Sequence, residues 1–180
     1  TRGCRFCQAG MITRPVRERP AEQVRTMVAD GLRRTGYDEV SLTSLSTADF
    51  SDVEDVVAGI LADRTAAAPG CSTTVNLPSL RVDAFTVGLA GQVNSGRRSG
   101  LTFAPEAGSW RLRQVINKLI TEDDLYGAVD AAFEQGWTRM KLYFLTGLPT
   151  ETDEDTLGIA ELARNCVALG QRRTGRASVT

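Results

Sequence analysis

The chain opens TRGCRFCQAG, with Cys4 and Cys7 two residues apart and an aromatic, Phe6, between them. A lone CxxC admits four chemistries: an incidental thiol pair, a redox dithiol, half of a zinc site, or part of an iron–sulfur cluster. Zinc would need two more soft or imidazole ligands. The sequence has no histidine, and its other two cysteines, Cys71 and Cys166, lie far along the chain. A redox CxxC normally opens a helix that lowers one thiol's pKa. The following QAGMITRP holds Gly10 and Pro15 and reads as a poor helix. An iron–sulfur cluster on a short loop stands beside the incidental pair, since thiolates are its natural ligands.

The lack of histidine also removes Ser-His-Asp triads and Cys-His nucleophile pairs. Four unevenly placed cysteines argue against a disulfide scaffold. At 180 residues, with 42% hydrophobic and 24% charged residues, the chain has the composition of one globular domain. A net charge of −1 gives no reason to expect nucleic acid or an acidic membrane as partner. No apolar run approaches the ~18 residues of a membrane span, and the chain reads as cytoplasmic. Thr1 in place of a methionine, and a terminal GRASVT that stops as a strand begins, read as the ends of a fragment.

The elements that would position these residues follow from periodicity. RPAEQVRTMVADGLRRTGYDE repeats Val24, Met27, Val28 and Leu32 at helical spacing, with Pro20 suited to its first turn and Gly36 to its stop. EVSLTSL alternates as a strand, SDVEDVVAGILAD returns to a helix, and TTVNLP is a short strand stopped by Pro78. DAFTVGLAGQVN reads as a helix and GLTFAP as a strand stopped by Pro105. SWRLRQVINK and TEDDLYGAVDAAFEQG are helices, the second opening on a capping box of Thr121 and Asp124. TRMKLYFLTGLP is a strand, TDEDTLGIAELARNCVALG a long helix, and RASVT a last strand.

Strand starts step by roughly 27 to 38 residues, the spacing of βα units, and helix-separated strands imply a parallel sheet. A (βα) barrel and a doubly wound sheet both fit. Polar punctuation gathers after the strands: Ser44, Ser46 and Asp49, then PSLR, PEAGS and GLPTET. Ligand sites of parallel α/β folds collect at those C-terminal strand ends.

Five ordered blocks now carry a resemblance: GCRFCQAGMITRPVRER, SLTSLSTADFSD, NLPSLRVDAF, TFAPEAGSWRLRQVINK and LYFLTGLPTETDED. The chain resembles the radical S-adenosylmethionine (SAM) superfamily, and within it a group whose full-length members carry a cobalamin-binding domain ahead of the radical domain. The resemblance spans essentially all of residues 1–180. It implies a partial parallel (βα)6 TIM-like barrel, truncated at both ends, and a CxxxCxxC loop whose first cysteine would precede Thr1. It also implies a 4Fe–4S cluster on Cys4 and Cys7, SAM as cofactor, cobalamin through another domain, and an electron donor of the flavodoxin or ferredoxin type. Reductive cleavage of SAM would give a 5′-deoxyadenosyl radical acting on an unknown substrate.

Matching the blocks implies residue roles. Phe6 would lie near adenine. Ser44 and Ser46 stand where many relatives have a glycine-glycine-glutamate run for the methionyl amine, with a serine turn as the plainer reading. Glu106 matches the ribose-binding acid, a carboxylate able to accept from both hydroxyls. Its alternative is a helix N-terminal acid favoured by the dipole. Lys118 matches a base for the methionyl carboxylate, or is a solvated helix-end lysine. Leu145 and Gly147 would pass their backbone close to adenine, although Gly147 before Pro149 also suits a turn. Cys71 and Cys166 read as packing residues. Arg14, Arg17 and Arg19 read as a solvated run, with a clamp for an anionic substrate or a neighbouring domain as the alternative. Two rivals remain: a tRNA methylthiotransferase-like enzyme, which would need more cluster cysteines and a basic appendage, and a noncatalytic α/β module with a structural metal at the CxxC.

Overall fold

Strand β3 (Leu101–Glu106) shows how the chain divides its residues. Leu101, Phe103 and Pro105 are buried, while Thr102, Ala104 and Glu106 are half-buried, as period-two alternation requires. β3 pairs in parallel with β4 (Arg139–Phe144), which pairs in parallel with β5 (Ser178–Val179). β1 (Glu39–Ser41) and β2 (Thr74–Asn76) form a second parallel pair. The computed structural model describes residues 3–63, 73–77, 82 and 101–180.

Among the described residues the intervening helices are α1 (Gln8–Ile12), α2 (Ala21–Thr35), α3 (Val53–Ala62), α4 (Trp110–Val115), α5 (Glu122–Glu134) and α6 (Asp153–Thr174). A 3-10 turn, Thr47–Asp49, follows β1. α2 starts after Pro20 and stops at a left-handed Gly36. α5 opens on the Thr121–Asp124 capping box, and α6 on a second box, Thr152–Asp155. Among the described residues no helix is long and apolar enough to cross a membrane.

Each sheet has its own apolar core. Phe103, Leu125, Val129, Phe133, Met140, Leu162 and Cys166 pack β3 and β4 against α5 and α6. Val53, Val56, Val57, Ile60 and Val75 pack the β1–β2 pair against α3, with Val24 and Val28 of α2 at the edge. Gly108 allows a close crossing: a Cβ there would meet the backbone of Asp155, Gly158 and Ile159 of α6, the last two at 2.8 and 2.5 Å.

The expected α/β architecture with parallel strands is present. The described residues do not show the partial barrel: among them no pairing joins the two sheets, and no sheet closes. The sequence DAFTVGLAGQVN, the PSLR turn and Cys71 lie outside the described residues.

Three local expectations are corrected. QAGMITRP does form a helical turn, because side chains satisfy its ends: Cys7 Sγ accepts from Gly10 N at 3.3 Å, and Arg14 Nε donates to Gly10 O at 2.8 Å. Pro105 does not stop β3. The pairing steps from Phe103–Leu142 to Glu106–Phe144, so β3 holds one extra residue there, and in that bulge proline's missing N–H removes no ladder bond. Finally, SWRLRQVINK is helical only to Val115. Asn117 turns left-handed at φ 54, and Lys118 N bonds back to Arg113 O at 2.8 Å.

Candidate cofactor and metal site

The half-buried face of β3 forms one wall of a cavity of about 1260 Å³. Thr102, Ala104 and Glu106 supply that wall, joined by Tyr143 of β4. Such a volume exceeds the ~300–1,000 Å³ of a typical small-molecule pocket. At its C-terminal end the wall carries a buried ion pair, Lys118 Nζ to Glu106 Oε1 at 2.9 Å, with side chains 9% and 13% exposed. Glu106 itself is left-handed at φ 73, a conformation few non-glycine residues adopt.

The Cys4–Cys7 loop reaches the same cavity from another direction. Cys7 N donates to Cys4 O at 3.1 Å, closing a turn between the two cysteines. Arg5 N donates to Ile116 O at 2.9 Å, and Asn117 Nδ2 donates to Gly3 O at 2.8 Å. The loop is therefore fastened to the turn that carries Lys118. Both cysteines are half-buried free thiols, and both line the cavity with Phe6, which is 45% exposed.

The third contribution follows β1. Ser44 Oγ accepts from Ser46 N at 3.2 Å and lies 3.2 Å from Thr47 Oγ1, so a serine turn does form. Both serines also line the cavity, and Ser46 Oγ is buried without a hydrogen-bond partner. Arg17 and Arg19 reach the cavity as well, whereas Arg14 is spent on Gly10 O.

Leu145 and Gly147 stand apart from these residues and do not line the cavity. Leu145 N donates to Glu106 O at 2.8 Å, which fixes the strand end beneath Glu106. Gly147 N and Leu148 N both donate to Glu151 Oε2, the second at 3.0 Å, and Gly147 has φ 78, so its turn reading holds.

The sequence reading passed over four residues of consequence. Tyr143 gave only an exposed strand position. Glu151 and Asp155 sit in TETDED, where the Thr152-x-x-Asp155 box was visible. Asp155, 3% exposed, accepts from Ser109, Arg111 and Thr152, and so ties the loop after β3 to the start of α6. Ser109 first, then Arg111, hold its carboxyl well below the usual carboxylate range. Arg113 is fully buried, and nothing in its helical surroundings signalled that.

Against this geometry the comparison with known proteins is decisive. Residues 1–163 match the Radical SAM superfamily. The chain belongs to that superfamily. The radical SAM domain is also 34% identical over 163 residues to the uncharacterized protein MJ0966 of Methanocaldococcus jannaschii. That alignment covers 91% of this chain and 34% of the relative, so the chain spans about a third of the curated relative's length.

Membership implies a 4Fe–4S cluster and SAM, and the residues present fit both in part. Cys4 and Cys7 offer two thiolates, the donors such a cluster takes. They are two: among the described residues no group of three His, Cys, Asp or Glu side chains lies together to hold a metal. The orphaned Ser46 Oγ offers an acceptor for an ammonium. Because α1 does form behind Cys7, a missing helix no longer argues against a redox pair. Superfamily membership now favours the cluster.

Proposed function

We propose that residues 1–180 are the core of a radical SAM enzyme, with Cys4 and Cys7 as ligands of a 4Fe–4S cluster and the adjoining cavity as the SAM site. One observation carries the reading. Residues from four distant segments, the Cys4–Cys7 loop, Ser44–Ser46, Glu106 and Lys118, line one cavity. A 4Fe–4S cluster held there would supply the one-electron reduction that cleaves SAM.

The chain's own residues would bind, orient and shield. Pairing through Oε1 leaves Glu106 a second carboxylate oxygen for ribose hydroxyls, and Lys118 keeps further ammonium hydrogens for a carboxylate. Ser46, with Ser44 holding its backbone, would take the methionyl ammonium. Phe6, which lines the cavity, would cover adenine. The third thiolate of the CxxxCxxC pattern would come from the position before Thr1. A flavodoxin- or ferredoxin-type donor would supply the electron. The cytoplasm, where thiols stay reduced, suits this chemistry. Cobalamin use rests on the likeness of the five sequence blocks to the cobalamin-associated group, and the cobalamin content of the full-length protein checks it.

Anaerobic reconstitution of the full-length protein with iron and sulfide tests the main reading. The expected result is a brown protein that releases 5′-deoxyadenosine from SAM on reduction. A colourless, zinc-loaded protein with no SAM cleavage would overturn it.

A further inference from the structure

Among the described residues Arg113 is the largest fully buried side chain, 0% exposed, on the short helix α4. Its guanidinium is poorly matched to that place. Nη1 donates to Ala107 O at 3.2 Å, Nη2 reaches the half-exposed Glu122 at 3.4 Å, and Nε has no partner. Burial pulls its pKa down, and Glu122 offsets only part of that. A leucine or methionine would fill similar space without the cost of desolvating a charge. Packing alone therefore does not account for an arginine here.

Its contacts point to another task. Ala107, whose carbonyl accepts from Nη1, directly follows Glu106 in its left-handed conformation. The backbone carbonyl of Arg113 accepts from Lys118 N at 2.8 Å. One residue thus fastens the chain on both sides of the Glu106–Lys118 pair, by its side chain on one and its main chain on the other. Non-glycine residues stay at such φ values only when their surroundings over-determine them.

We infer that Arg113 is a positioning residue that holds the backbone after Glu106 so that its carboxylate faces the cavity. The consequence for SAM rests on the proposed role of Glu106, while the consequence for the backbone does not.

Two cycles in the full-length protein test this. Glycine adopts the left-handed conformation freely, so Arg113→Met should lower the thermal midpoint less in a Glu106→Gly background than in the wild type. In calorimetry with SAM, Arg113→Met should weaken binding by about ten-fold, within the range for residues sharing one network. Glu106→Gln with Arg113→Met should then bind no worse than Glu106→Gln alone. Arg113→Lys, which keeps a donor, should recover part of both losses, and it carries the same cycles if Arg113→Met does not fold. Midpoint losses that add in the Glu106→Gly background overturn the inference. If the midpoints couple but Glu106→Gln binds SAM like the wild type, the positioning stands and the ribose role of Glu106 falls.

Discussion

Lys118 Nζ and Glu106 Oε1 lie 2.9 Å apart, twelve residues apart in sequence, at the C-terminal end of the cavity wall. Both side chains are nearly buried, so solvent reaches either charge only from the cavity that they line. Removing one partner of such a pair leaves the other underpaired, at a cost of about 1–3 kcal/mol. Lys118→Met should therefore lower stability by that amount in denaturant melts and also weaken SAM binding. A variant with wild-type stability would show that the pair is solvated well enough to need no partner.

The described cysteines, Cys4, Cys7 and Cys166, divide into two classes. Burial pushes the Cys166 thiol up to about 12, and its fully buried place in the core of β3, β4, α5 and α6 sets it apart from the cavity that Cys4 and Cys7 line. Cys4→Ala or Cys7→Ala in the full-length protein should abolish iron loading and 5′-deoxyadenosine release. Cys166→Ala should leave iron content unchanged and cost about 1 kcal/mol of core packing. Iron analysis and thermal melts of the three variants separate the classes, and iron loss in Cys166→Ala would break the division.

Asp155 makes a pH-dependent contribution. Its carboxyl is held below the ordinary value by Ser109 and Arg111, so the folded state favours the charged form. That stabilisation is complete above the unfolded pKa of ~3.9 and drains away as pH falls through it toward the lower folded value. Wild type should melt above Asp155→Asn by a constant margin near neutral pH, and the margin should shrink below about pH 4. A margin that persists unchanged into strong acid would show that the carboxylate's charge is not what matters.

Gly108→Ala should be among the most damaging single substitutions in the domain. Its methyl would fall on the backbone of α6, which cannot swing aside as a side chain can. The loss should reach at least about 3 kcal/mol, the upper end of overpacking. Urea unfolding of the purified variant measures it, and a near-wild-type midpoint would mean that the crossing is looser than the structure has it.

The sequence marked the elements well and their ends less well. Alternation and helical period placed five strands and the long helices because each buries one face, and a buried face leaves its period in the residues. Pro105 misled because its effect depends on whether its nitrogen faces a ladder bond, and the bulge that spares it is a property of pairing with β4. Helix α1 was missed for a related reason: the bonds that end it come from Cys7 and Arg14 side chains, outside any propensity. Of the residues singled out by motif position, Cys4, Cys7, Ser44, Ser46, Glu106 and Lys118 line one cavity. Arg113 was not singled out, since a charged residue in a short helix is ordinarily exposed.

Strand β3 sorts its residues by parity, and this bears on how such a domain can change over generations. Leu101 and Phe103 answer to the core, while Thr102 and Ala104 answer only to the cavity. A substitution at Thr102 or Ala104 can reshape what the cavity admits while the packing beneath stays the same. The cavity's shape can therefore change at positions that are not already committed to keeping the chain folded.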